Sequence, residues 1–192
     1  LKIKKLRNQQ LINRKIMKKL EIEELKYSAM DVFDTFKTFP GIFFLDSSMD
    51  DRKLGRYSFI GIDPFLNFTS KGKDITIIQN GKTYKLHNNP FDTLNSLMKE
   101  YRIKSDTYDF PFIGGAVGYF SYDLCQILVK LPTIATDDLK IQDCQLNFYD
   151  TIFIFDNLLK KSYICSNIFL NKAKRKKHYF DLLNKNSKKS LK

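Results

Sequence analysis

Asp74-Ile75-Thr76-Ile77-Ile78-Gln79-Asn80-Gly81-Lys82-Thr83-Tyr84-Lys85-Leu86 decides the fold class. Two runs rich in β-branched residues flank Asn80-Gly81, and both central positions of a two-residue hairpin turn favour positive φ. The segment predicts a strand, a tight turn and an antiparallel return strand. Gly81-Lys82-Thr83 also echoes a phosphate-binding loop. That motif needs a glycine at position 76, where this chain has Thr76. The hairpin accounts for the glycine and the phosphate loop does not.

Working outward, the same alternation predicts strands over 57–62 and 65–69, and a short buried strand over 42–45. A polar loop spans 46–56. Further toward the N-terminus, residues 27–39 predict a helix with Ser28 as N-cap and Asp31 three residues on, in the manner of a capping box. Met30, Phe33 and Phe36 would share its inward face, and Pro40-Gly41 would end it. Residues 17–25 predict a first strand with Leu20, Ile22 and Leu25 as its apolar set. Toward the C-terminus, Asn89-Pro90 opens a helix through Tyr101, with Asn as cap and Pro at the first helical position. Phe91, Leu94, Leu97, Met98 and Tyr101 recur at helical spacing. A glycine-rich strand over 113–122, strands over 145–155 and 161–168, and a basic helix over 169–184 complete the chain. Strands in hairpin order with a few intervening helices predict an α+β fold, mostly antiparallel sheet with flanking helices.

The 192 residues are 43% hydrophobic and 14% aromatic, enough for a real core. No apolar run approaches the roughly 20 residues that span a bilayer, and the basic N-terminus does not read as a signal peptide. Cys125, Cys144 and Cys165 are odd in number and lack metal-ligand spacing, as expected of idle thiols in a reducing cytoplasm. The net charge of +12 points first to nucleic acid. However, residues 1–20 and 171–192 together carry +16, which leaves −4 on residues 21–170. A basic folded face that tracks phosphates is not supported, although two basic arms could contact RNA with steep salt dependence. The chain divides into a basic extension (1–16) expected outside the fold, a domain (17–184) and a basic tail (185–192). Leu1 is not an initiator, whereas Met17 could be.

No self-contained active site emerges from the residues. His87 and His178 have no Cys or carboxylate pattern around them that suggests a triad or a metal site. The pairs Asp50-Asp51 and Asp137-Asp138 read as surface charge. Gly114, Gly115 and Gly118 lack dinucleotide-loop spacing and suit close backbone packing.

Three stretches do carry a resemblance. They are Phe43-Phe44-Leu45-Asp46-Ser47-Ser48 with Leu54-Gly55-Arg56-Tyr57-Ser58-Phe59-Ile60-Gly61 and Asp63-Pro64; Phe112 through Asp123; and Tyr149-Asp150-Thr151-Ile152-Phe153-Ile154-Phe155-Asp156. In this order they resemble the N-terminal region of component I of anthranilate synthase and aminodeoxychorismate synthase, the chorismate-utilising synthases. The similarity covers about 17–183. It implies the N-terminal part of that fold, with the glycine strand at 113–122 as one of its core strands.

The resemblance also implies a tryptophan-binding segment at Asp46, Ser47, Leu54, Gly55, Arg56 and Tyr57. Asp46 stands where many relatives carry Glu, one methylene longer. Asp46 and Ser47 read equally well as strand-end turn residues. Phe-Leu-Asp-Ser-Ser and Gly-Tyr-Phe-Ser-Tyr-Asp favour the aminodeoxychorismate branch, in 4-aminobenzoate and folate biosynthesis, over the anthranilate branch. The family's catalytic C-terminal region is absent, so no catalytic residue and no metal ligand is assigned here. The complete enzyme implies Mg²⁺, a glutamine amidotransferase subunit and the missing chorismate-binding region as partners. A stand-alone tryptophan-binding regulatory module is the alternative. Strands carrying Phe43, Phe44, Phe59, Phe153 and Phe155 exceed what two helices can cover, so exposed apolar surface and self-association are expected.

Overall fold

The computed structural model describes residues 20–47, 55–102, 110–129, 132, 136–167 and 173–187. The N-terminal extension, the first three residues of the expected first strand, Leu54 and residues 188–192 lie outside these. The described strands form two five-stranded antiparallel sheets. The first runs β1 (Leu20–Leu25), β10 (Lys161–Asn167), β9 (Thr151–Asp156), β3 (Tyr57–Gly61), β2 (Phe43–Leu45). The second runs β6 (Lys82–His87), β5 (Asp74–Gln79), β4 (Leu66–Lys71), β8 (Cys144–Tyr149), β7 (Gly115–Phe120).

Local chemistry sets several elements as expected. Asn80 and Gly81 take φ of 51° and 72°, and β5 pairs β6 from Asp74↔His87 to Gln79↔Lys82. Helix α1 (Ala29–Phe36) has the reciprocal capping box between Ser28 and Asp31. Helix α2 (Pro90–Glu100) is capped by Asn89, whose side chain accepts from the Phe91 N–H. Each cap satisfies a backbone donor that the first helical turn would leave without a partner. Helix α3 (Ala173–Ser187) extends past the expected end at 184, and residues 169–172 of the expected helix lie outside the described residues.

Two face assignments need correction. Met30 is exposed, whereas the expected Phe36 is buried together with Val32 and Phe33 packs partly on the same cluster. Met98 is likewise exposed, while Phe91, Leu94, Leu97 and Tyr101 pack on the second sheet. In both helices the expected face holds except at its methionine. The strand expected as buried at 42–45 is a three-residue edge strand with Leu45 exposed.

The larger correction concerns 145–155, which is two strands and not one. β8 belongs to the second sheet and β9 to the first, with the single residue Asp150 between them. The chain changes sheet at a buried aspartate, and period-2 alternation gives no sign of such a turn. Arg175 on α3 binds Asp150 at 3.2 Å and Asp63 at 3.1 Å, and Tyr179 donates to Asp63. The closing helix is thereby fastened over the crossing.

Both faces of the first sheet are covered. Val32, Phe36, Tyr179 and Leu183 from α1 and α3 pack on Ile60, Phe153, Phe155 and Ile164. On the opposite face, Phe110, Phe112 and Ile113 lie over Phe43, Tyr57, Phe59, Ile152 and Ile154. All six residues of β9 are buried, so its apolar run reflects a central strand with no wet face. Phe153 and Phe155 therefore leave no exposed surface. The exposed apolar residues include Tyr119, Phe120, Tyr122, Leu128 and Val129, around the end of β7 and the 3₁₀ turn Tyr122–Ile127.

The glycine strand is shorter than expected and, among the described strands, stands at the edge of its sheet. Close packing of its glycines does hold at Gly118, where a Cβ would run into the Gln145 carbonyl. Gly114 and Gly115 take φ of 130° and 136°, a region that favours glycine. Burial pushes the thiols of Cys144 and Cys165 up to about 11 and about 12, so neither is a reactive thiolate at neutral pH.

Candidate functional site

The candidate residues converge where β2 ends, β3 begins and β9 ends. Ser47 follows β2 by two residues. Its hydroxyl donates to the Tyr57 carbonyl at 2.7 Å and its N–H donates to Ser58 Oγ at 3.1 Å. These bonds continue the β2–β3 pairing past its last ladder pair, Leu45↔Phe59. Ser58, 1% exposed, is the hub. It donates to Asp46 Oδ1 at 2.9 Å and accepts from Asn157 Nδ2 at 3.1 Å. Asp46 itself is exposed, so its carboxylate stands at the surface beside this network.

Arg56 is committed to Asp156. Its Nε lies 3.1 Å from both carboxylate oxygens and its second terminal nitrogen 2.7 Å from Oδ2, a fork-on-carboxylate contact. The guanidinium also lies 4.8 Å from the Tyr57 ring centroid. Asp156 is the last residue of β9, and its Oδ1 further accepts the N–H groups of Leu158 and Leu159. Burial works against this carboxylate. The Arg56 hydrogen bond, the two backbone donors and the Arg56 charge outweigh it and hold the group below the usual carboxylate range. The hydrogen bond to Asp156 raises Arg56 further above its ordinary value.

Asp46, Ser47, Gly55, Arg56 and Tyr57 are thus brought together, and Leu54 lies outside the described residues. Tyr57 joins an aromatic group with Phe59, Phe110 and Tyr163, with Phe110 centred 5.9 Å from Tyr57 and 5.1 Å from Tyr163. Gly114, Gly115 and Gly118 belong to the other sheet and serve its packing. Sequence reading missed Ser58, Asp156 and Asn157 as members. Ser58 and Asp156 sit inside the quoted stretches, but 100 residues separate Arg56 from Asp156, and no local pattern joins them. Among the described residues no three or more His, Cys, Asp or Glu converge as a metal would require. Also among them, no helix is long and apolar enough to cross a membrane.

Comparison with known proteins shows what the chain as a whole is similar to. Over 144 residues the chain is 33% identical to anthranilate synthase component 1 of Acetivibrio thermocellus, covering 74% of this chain and 29% of that protein. It is 28% identical over 126 residues to aminodeoxychorismate synthase component 1 of Escherichia coli, covering 65% of this chain and 28% of the relative. The corresponding Bacillus subtilis protein is 32% identical over 112 residues, 57% of this chain and 23% of its own length. The chain thus spans less than a third of the curated relatives it matches. Anthranilate synthase component I from Streptococcus pneumoniae shares the fold with a TM-score of 0.55 and 20% identity, over 71% of this chain and 31% of that one. No family model matches. The architecture is the N-terminal-region part of that larger fold.

Because the folded Asp156 lies below its ordinary value of 3.8, its contribution to stability is fully present above that pH and is lost as pH falls through the folded value. Asp156→Asn is expected to cost about 1.5–3 kcal/mol at neutral pH, the worth of hydrogen bonds to a charged group. It should also flatten the acid limb of stability below about pH 4, where a paired carboxylate titrates. Denaturant titrations across pH 2–7 check this, and an unchanged acid limb would contradict the assignment.

Proposed function

We propose, from the chain's kinship with the N-terminal region of the chorismate-utilising component I synthases, that it is the N-terminal part of a chorismate-aminating synthase of the aminodeoxychorismate branch. On this reading it supplies scaffold and one wall of a tryptophan site. The observation that carries the reading is the strand–loop–strand of β2 and β3. The quoted motif residues meet there in one hydrogen-bonded corner, within a chain whose relatives bear these names. Asp46 offers an exposed carboxylate to an ammonium group, and the Tyr57 aromatic group lies close by. Ser47 uses its hydroxyl proton on the Tyr57 carbonyl and keeps lone pairs for a ligand donor. Arg56, held by Asp156, shapes the corner and is not the ligand's carboxylate partner.

The chemistry is assigned outside this chain. Chorismate and Mg²⁺ would be held by the larger region that the relatives possess, and ammonia would come from a glutamine amidotransferase subunit. The anthranilate branch is the second reading, favoured by the 33% identity over 74% of the chain to a protein of that name. Assay of the product made with a supplied C-terminal region, 4-amino-4-deoxychorismate or anthranilate, separates the two.

The purified chain alone is expected to leave chorismate unconverted, with ammonia or with an amidotransferase plus glutamine. Mg²⁺-dependent product from this chain by itself would overturn the assignment. Ser47→Ala is expected to weaken tryptophan binding to the complete enzyme by about 0.5–1.5 kcal/mol, the net worth of a typical hydrogen bond. Unchanged affinity by calorimetry would leave Ser47 with its strand-end role alone.

A further inference from the structure

A serine hydroxyl has a single proton and two lone pairs, and the groups around Ser58 leave only one way to use them. The Ser47 backbone N–H lies 3.1 Å from Ser58 Oγ and can only donate. Asn157 Nδ2 lies 3.1 Å from the same oxygen. That nitrogen is also 3.5 Å from the Gly55 carbonyl, which can only accept, so the donor end of the Asn157 amide is the end that faces Ser58. Two donors thus fill both lone pairs of Ser58. Its proton goes to Asp46 Oδ1 at 2.9 Å, where a carboxylate accepts. Each hydrogen bond along Asn157, Ser58 and Asp46 therefore has one direction.

Asn157 is itself held in place. Its backbone N–H donates to the Arg56 carbonyl at 2.7 Å. Asp156 Oδ1 shapes the turn around it by accepting the N–H groups of Leu158 and Leu159. The Arg56 guanidinium grips the same aspartate at 2.7 Å. The turn after β9 thereby delivers a fixed amide donor to Ser58.

We propose that Asn157 is a positioning residue: by filling a lone pair of Ser58 it commits the Ser58 proton to Asp46, and so holds that exposed carboxylate ready to accept a ligand's primary ammonium group. The inference rests on the tryptophan-site reading above. It assigns selectivity for the amine to a residue 99 positions away from Ser58, in the turn of a different hairpin. Asn157 touches no ligand in this scheme and acts through Ser58 on the orientation of one carboxylate. A carboxylate fixed in advance loses less rotamer freedom when the ammonium arrives. With an apolar side chain at 157, Ser58 gains an empty lone pair, its proton is no longer committed, and Asp46 loses its fixed orientation.

The test compares tryptophan with indole-3-propionic acid, which lacks the amine, by calorimetry on the complete enzyme. Asn157→Leu and Ser58→Ala are each expected to weaken tryptophan about three- to tenfold, the range of one hydrogen bond, and to leave indole-3-propionic acid unchanged. A second readout needs no ligand. In amide-exchange NMR of this chain alone, an Asn157 side-chain proton and the Ser47 backbone amide should exchange slowly. Ser58→Ala should abolish both effects while the β9 amides stay protected. Equal losses for the two ligands would leave Asn157 a purely structural role and overturn the proposal. So would fast exchange of both Asn157 side-chain protons in the unaltered chain. Tryptophan binding whose preference over indole-3-propionic acid survives Asn157→Leu would overturn this inference alone. An unaltered complete enzyme that binds no tryptophan would bring down the site reading and this inference with it.

Discussion

The structure depends on a buried carboxylate at Asp150. The chain leaves one sheet at Tyr149 and enters the other at Thr151, with that single residue between them. Asp150 is 3% exposed, and a charge in such a place is costly unless it is paired and hydrogen-bonded. Arg175 supplies the pairing from the last helix, and the Asp150 carbonyl accepts the Asn167 N–H from the end of β10. The crossing therefore requires α3 and β10 to be in place. Sheet order, helix position and the covered face of β9 follow from that requirement.

β9 carries a buried aspartate at each end of its apolar run, each held by an arginine. Asp150 precedes it and pairs with Arg175, and Asp156 ends it and pairs with Arg56. The first pair fastens the closing helix. The second fixes the start of β3, and through Ser58 it fixes the Asp46–Ser47 corner. The candidate ligand corner is thus positioned by the same strand that joins the two sheets. Its precision depends on a central, fully buried element and not on the loop that leads into it. A site held this way is preorganised on one side, which suits a chain that spans less than a third of the length of its relatives.

The parts of this arrangement that rest on neighbouring residues were legible in the sequence. Ser28 with Asp31, Asn80-Gly81 and Asn89-Pro90 each set their element by contacts within a few residues, and each holds in the structure. The family likeness of the motif stretches was legible too. The sheet change at Asp150 was not, because Gln145 to Phe155 reads as one apolar run whichever sheet each half joins. Arg56 with Asp156, and Asp150 with Arg175, are tertiary pairs whose partners give no local sign of each other. Met30 and Met98 show the limit of helical periodicity. An amphipathic stripe shows which side of a helix turns inward, and the rest of the fold decides how far its rim is covered. The edge position of the glycine strand depends on β4, β8 and β7 assembling in that order, which spacing along the chain does not encode.

The central claim is that Asp150 and Arg175 join the two sheets into one cooperative unit. Native-state amide exchange under increasing denaturant tests it most directly. The account predicts that Ile152 and Ile154 of β9 and Leu146 and Phe148 of β8 exchange through one shared opening with the free energy of global unfolding. Arg175→Ala should lower that value for both strands together. Two distinct opening free energies, one for each sheet and with only one responding to Arg175→Ala, would contradict it.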